Sequence, residues 1–274
     1  MRSIVRAFAN AAALGGNAID QPLLEVENVS VRFGGIVALD RVSFAVARGH
    51  IVGLIGPNGA GKTTLFNCLS RLYTFSDGRI AFEGRSLLET PPHRIASLGI
   101  GRTFQNLALF RTMSVRDNVK LGGHARTRSG YVANALRLPS VRGEEARLGA
   151  AVDRLLALLD LQSVADVAVM DLSFGTQKRV ELGRALASEP KLLLLDEPAG
   201  GLNHEEVGTL MDLLRRIRAE LGLTMLLVEH HMNMVMRISD RVVALDFGRK
   251  IADGTPAEVQ ANDDVVRAYL GVAA

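Results

Sequence analysis

The stretch Gly56-Pro57-Asn58-Gly59-Ala60-Gly61-Lys62-Thr63-Thr64 has the form G-x-x-x-x-G-K-[ST], and its reading decides the fold. The apolar run Ile51-Val52-Gly53-Leu54-Ile55 precedes it and Leu65-Phe66-Asn67-Cys68-Leu69 follows. That order predicts a buried strand, a glycine-rich turn and a helix with one apolar face. Glycines let the backbone wrap closely around a polyphosphate, and the first turn of the helix adds free N–H groups and a positive dipole end. Lys62 supplies a point charge for β- and γ-phosphates, and the Thr63 hydroxyl suits Mg²⁺. The bland alternative is a strand–turn–helix corner with a chance lysine. Nine matching residues in the right context argue against it. Residues 56–64 are a nucleoside-triphosphate cradle.

Moving outward, 274 residues suit one large domain, or a core carrying an inserted subdomain. An apolar content of 48% is ample for a core. The single Cys68 excludes an internal disulfide framework, and its expected role is packing in the helix after the phosphate loop. No apolar run approaches the length of a membrane span. In residues 1–22, Arg2 and Arg6 precede a short alanine-rich patch interrupted by Asn10. The patch is too weakly apolar for a signal peptide, so a loosely ordered N-terminal extension is expected.

Net charge is +3, but it is unevenly spread. Between Arg94 and Arg147 ten basic side chains face three acids, which sets that segment at +7 and the rest of the chain at −4. A solvated basic face is the default reading. A surface near anionic headgroups or a membrane protein's cytoplasmic loops is the sharper one. Nucleic acid lacks support, because no aromatic side chains interleave the cations.

Upstream of the cradle, Leu24, Val26, Val29, Val31 and Phe33 alternate with polar neighbours, as do Val42, Phe44 and Val46, with Gly34-Gly35 between. This predicts half-buried antiparallel strands. Phe33 is either a stacking platform for an adenine ring or a core strand residue. Downstream, three-and-four spacing over Val115–Leu121 and Val152–Leu159 predicts helices, while the polar, glycine-punctuated stretch 122–149 reads as a long loop with room for one short helix. Leu192-Leu193-Leu194-Leu195 is a buried strand ending in Asp196-Glu197. Thr224–Val228 is another, ending in Glu229-His230-His231. Strands alternating with helices predict an α/β fold with a mostly parallel sheet, and chemistry gathers at the carboxyl ends of such strands.

The carboxylates after the leucine strand suit two tasks. Asp196 is placed to hold Mg²⁺ through its water shell, and Glu197 to accept a proton from, or orient, an attacking water. Lone readings of strand end and helix cap weaken beside a phosphate loop. His230 can donate to a γ-phosphate or orient the water, although a single strand-end histidine is more often structural.

In combination these residues resemble a family, the ATP-binding subunits of ABC transporters. The phosphate loop, Gln105, the signature Leu172-Ser173-Phe174-Gly175-Thr176-Gln177, the Asp196-Glu197 pair and His230 stand in that family's order across residues 23–271. The strings Arg102-Thr103-Phe104-Gln105, Glu197-Pro198-Ala199-Gly200-Gly201-Leu202-Asn203 and Arg267-Ala268-Tyr269-Leu270-Gly271 look like the branched-chain amino acid type, and the long insert after Val119 like the larger of that system's two ATPases. The resemblance implies a P-loop NTPase (RecA-like) core over residues 23–105 and 188–254, with an antiparallel β subdomain. It implies a helical subdomain over about 106–187 and a C-terminal tail over 255–271.

It also implies ATP and Mg²⁺ as ligands, with Gln105, Thr63 and Asp196 toward the metal and Glu197, His230 and Gln105 toward hydrolysis. Two ATPs would be sandwiched by a head-to-tail pair of such ATPase subunits, with Ser173, Gly175, Thr176 and Gln177 acting in trans. The remaining implied partners are membrane permease subunits and, indirectly, a periplasmic or extracellular solute-binding protein, at the cytoplasmic face of the cell membrane. Three positions depart from the family's common pattern: Thr176 for Gln, Asn203 for Asp, and His231 for Asp. Urea or amide import, import of another amino acid, lipid export and a soluble ABC ATPase without a permease remain alternatives. A P-loop kinase or GTPase leaves the Ser173 signature unexplained, and no Asn-Lys-x-Asp guanine-reading string is present.

Overall fold

The structure is a computed structural model and describes residues 21–104, 107–123 and 139–270. The predicted N-terminal extension falls almost wholly outside these residues, as do Gln105 and Gly271.

The two alternating apolar stretches form β1 (Leu24–Phe33) and β2 (Ile36–Val46), which pair antiparallel with Leu24 opposite Val46. β1 also pairs antiparallel with β4 (Asp77–Phe82), and β4 with the short β5 (Arg85–Ser86), giving a four-stranded sheet in the order β2-β1-β4-β5. The second sheet contains β3 (Ile51–Ile55), β6 (Ile100–Arg102), β7 (Leu192–Asp196), β8 (Thr224–Val228), β9 (Arg241–Asp246) and β10 (Arg249–Gly254). Its order is β10-β9-β3-β8-β7-β6, parallel throughout except for the β9–β10 hairpin at its edge.

The four-leucine run shows why the strands lack alternation. Leu192 and Leu194 enter one apolar cluster, together with the antiparallel sheet and α1 (Lys62–Leu69). Leu193 and Leu195 enter the other. That second cluster is shared with α3 (Val115–Gly122), α4 (Pro139–Leu158), α5 (Phe174–Leu186), α6 (His204–Leu221) and α7 (Met232–Ile238), α2 being the single turn Ile95–Leu98. A parallel strand covered on both faces has no polar side to display. The chain closes with α8 (Pro256–Gln260) and α9 (Asp263–Leu270).

One expectation is corrected and one open choice is narrowed. The predicted loop over 122–149 contains the start of a twenty-residue helix, α4, which begins at Pro139 and runs through Gly143 and Gly149. Proline belongs at the first helical position, where its missing N–H costs nothing, so Pro139 opens the helix instead of breaking one. Phe33 is 47% exposed and meets Tyr73 edge to face at 5.2 Å, so the core reading fails. The basic segment is partly spent internally: Arg102 pairs with Asp196, and Arg116 with Asp153 and Asp166.

Candidate nucleotide site

β3 delivers the chain into the cradle, and glycine is required at both ends of it. At Gly56, φ is 151° and a Cβ would lie 2.3 Å from the Leu245 carbonyl oxygen. At Gly61, φ is 98° and a Cβ would lie 2.6 Å from the Ala38 carbonyl oxygen. The β9–β10 turn supports the loop from below, with the Gly248 N–H donating to the Ala60 carbonyl at 3.1 Å. Gly61 offers no side chain to cap α1, which leaves the first amides of that helix open to an anion. Pro57 is half-buried, Asn58 and Gly59 are exposed and Ala60 is buried. Thr63 is exposed and Thr64 half-buried, in the first turn of α1.

Lys62 folds back over the loop it follows. Its Nζ donates to the carbonyls of Gly56 at 2.7 Å and Pro57 at 2.9 Å, and the residue is buried. Burial pulls its pKa below the ordinary lysine value, and the Glu197 charge offsets part of that. Cys68 is fully buried in the same helix and its thiol is pushed up to about 11, so it packs as an inert apolar group. A further contact anchors the loop from the C-terminus: the Gly56 N–H donates to the Tyr269 hydroxyl of α9 at 2.7 Å.

β3, β8 and β7 are neighbours and parallel, so the cradle, His230 and the Asp196-Glu197 pair emerge side by side at their carboxyl ends. Glu197 and His230 share a hydrogen bond, Oε1 to Nε2, of 2.7 Å. Asp196 is held by Arg102, Nη2 to Oδ2 at 2.8 Å, and its N–H reaches the Thr103 hydroxyl at 3.3 Å. The Arg102 guanidinium also donates to Asn67 Oδ1 at 2.9 Å and Ser70 Oγ at 3.0 Å, and lies between the rings of Phe66 and Phe104. Glu229, the residue directly after β8, is buried and accepts from three backbone N–H groups.

The signature segment forms the start of α5. Ser173 is its N-cap, with Oγ accepting the Thr176 N–H at 3.3 Å and lying 3.0 Å from the Thr176 hydroxyl. Gln177 donates to the Leu172 carbonyl at 2.9 Å, and Arg179 to the Thr176 hydroxyl at 3.2 Å. These bonds of Ser173, Thr176 and Gln177 stay within residues 172–179, and Ser173 is exposed at the helix N-terminus. Gly175 packs against α6, where a Cβ would meet Glu206 Oε1 at 2.9 Å. Further along α5, the buried Glu181 accepts the Phe104 N–H at 2.9 Å, which ties the signature helix to the chain just ahead of Gln105. Burial raises the Glu181 carboxyl above its ordinary value. Asn203 forms a capping box for α6, with Oδ1 accepting from Glu205 and Glu206 at 3.0 Å each and its own N–H donating to Glu206. An amide cap serves the helix as well as Asp would.

Arg102, Glu229, Glu181 and Tyr269 carry site contacts that the sequence reading did not assign. A Glu directly following the apolar run Met225–Val228 was the available signal for Glu229, since a buried carboxylate must find donors. The donor set fits a nucleotide with Mg²⁺: Thr63 and Asp196 would offer oxygen ligands, and Lys62 lies against a loop whose close packing on Leu245 and Ala38 leaves no room for a Cβ at Gly56 or Gly61.

Comparison with known proteins gives a consistent picture. Residues 39–200 match the family described as ABC transporter, and residues 249–274 the family described as branched-chain amino acid ATP-binding cassette transporter. The chain is 39% identical to the high-affinity branched-chain amino acid transport ATP-binding protein BraF of Pseudomonas aeruginosa, covering 93% of this chain and 100% of that one. It is 40% identical to the corresponding protein LivG of Escherichia coli K12, with the same coverage. The ADP conformation of MJ1267, an ATP-binding cassette of an ABC transporter, superposes with a TM-score of 0.80 at 30% identity over 92% of this chain and 100% of that one.

Proposed function

The chain belongs to the ATP-binding cassette family of ABC transporters and is an ATPase of that family, and from that premise we propose that it powers import of branched-chain amino acids or closely related small solutes. The C-terminal family match and the relatives that span 93% of the chain, all named for branched-chain amino acid transport, support the solute class.

The observation that carries the mechanism is the 2.7 Å Glu197–His230 bond, set beside a buried lysine at the carboxyl ends of adjacent parallel strands. Residues 56–64 hold the triphosphate, and Lys62 exchanges its two carbonyl partners for phosphate oxygens. Thr63, Asp196 and Gln105 would hold Mg²⁺, which would supply charge neutralisation during phosphoryl transfer. Glu197 orients and deprotonates the attacking water, and the His230 Nε2–H, which holds the Glu197 carboxylate, turns to the γ-phosphate when ATP binds. The exposed Phe33 ring offers an adenine a stacking face, with Tyr73 bracing it. The N-terminus of α5, with Ser173, Gly175, Thr176 and Gln177, meets the γ-phosphate of a partner subunit's ATP. On this reading the working unit is a pair of ATPase subunits on membrane permeases at the cytoplasmic face, served by a solute-binding protein. Among the described residues no helix is long and apolar enough to cross a membrane.

Glu197→Gln is the test. The variant is expected to bind ATP with wild-type affinity, accumulate as a nucleotide-bound dimer and lose at least about a hundredfold in kcat. Near-normal hydrolysis would sink the assignment. Uptake of labelled leucine by vesicles carrying the chain with the membrane subunits that co-purify with it tests the solute.

A further inference from the structure

We infer that Glu229 is a positioning residue that keeps the Glu197–His230 pair in register. It is 1% exposed, and its two oxygens are committed to opposite sides of the site. Oε1 accepts the Ala199 N–H at 2.6 Å, while Oε2 accepts the N–H groups of His230 at 3.0 Å and His231 at 3.3 Å. Ala199 lies two residues beyond Glu197, inside the turn closed by the Gly200 N–H on the Glu197 carbonyl at 3.0 Å. One carboxylate therefore clasps the backbone on both flanks of the Glu197–His230 bond.

The clasp has a specific job. Glu197 has φ 48°, in the left-handed region that a non-glycine residue avoids. Such a conformer persists only where its surroundings over-determine it. The Glu197 N–H on the Val228 carbonyl, at 2.9 Å, fixes one side of that residue. Glu229, through Ala199, fixes the other. Hydrogen bonds to a carboxylate are about twice as strong as neutral ones, and three on one group make a stiff joint. A glutamine in its place keeps the size and loses the function, because its NH₂ must face N–H donors on one side or the other.

The inference rests on the proposed roles of Glu197 and His230, so the experiment compares Glu229→Gln and Glu229→Asp with Glu197→Gln in the full-length chain. For Glu229→Gln, kcat is expected to fall at least about tenfold, since small misplacements of catalytic groups carry such losses. KM for MgATP and the affinity for mant-ATP should stay within about twofold, the split expected when chemistry and not binding is lost. In protein labelled with isotopic histidine, the His230 ring signal should move as it does in Glu197→Gln. Glu229→Asp keeps the charge but falls short of Ala199, so its kcat should be intermediate, and it decides the matter if the glutamine variant does not fold. Either variant, folded and turning over like the wild type, overturns the inference, as does a loss of kcat with the His230 signal unmoved. Normal hydrolysis by Glu197→Gln overturns the proposed function itself and this inference with it.

Discussion

Arg102 and Asp196 form a 2.8 Å salt bridge in which the side chains are only 10% and 9% exposed. The arginine stands at the end of β6 and the aspartate at the end of β7, so the pair joins the approach to Gln105 to the carboxylate proposed for Mg²⁺. Taking one partner away strands a charge in a dry site, where breaking a pair costs about 3–5 kcal/mol. Arg102→Met is expected to lose stability of that order in urea unfolding. A loss no larger than that of an exposed ion pair would show that water reaches Asp196 freely. Lysine should rescue only in part, because it cannot also reach Asn67 and Ser70 with a rigid fork.

Lys62 gives the site a pH dependence whose sign is fixed. Its pKa in the folded protein lies below the ordinary 10.5 because burial penalises the ammonium. Between that lowered value and 10.5 the unfolded chain binds the proton more readily, so this group makes stability rise with pH across the interval. ATP affinity should run the opposite way, since the cradle loses its cation as the pH climbs. Binding the polyphosphate should pull the proton back. Calorimetry in two alkaline buffers of different ionisation enthalpy reads that proton directly, and absence of uptake would contradict a titrating Lys62.

Tyr269→Phe removes the acceptor for the Gly56 N–H. An amide left unpaired costs about 1–3 kcal/mol, and because Tyr269 is 39% exposed, water can replace part of the bond, which favours the low end. The expected outcome is a small drop in melting temperature with a several-fold higher KM for ATP and little change in kcat. An unchanged KM would mean that α9 does not tune the cradle.

The cradle, the leucine strand and the paired strand ends were legible because each is local: a few consecutive residues carry both the structural and the chemical signal. What escaped depends on partners far apart in sequence. Nothing around Arg102 announces Asp196, and nothing around Tyr269 announces Gly56. Glu229 stood in plain view after an apolar strand, yet its donors come from a loop thirty residues upstream and from its own neighbours. Pro139 misled for a different reason, since the same residue that ends helices also starts them, and only the course of the following chain tells which. Phe33 was undecided because alternation places it on a strand without saying whether that end of the strand is covered. Gln105, the proposed link between the metal and the helical region, lies outside the described residues.

The left-handed backbone of Glu197 has an implication for engineering this molecule. A glycine there would sit at ease at φ 48°, where a side-chain-bearing residue gives up about 1 kcal/mol. Laboratory evolution toward heat resistance, run with no transport or turnover readout, would therefore drift toward replacing the very residue proposed to do the chemistry. Any such campaign has to hold position 197 constant and look for its gains elsewhere.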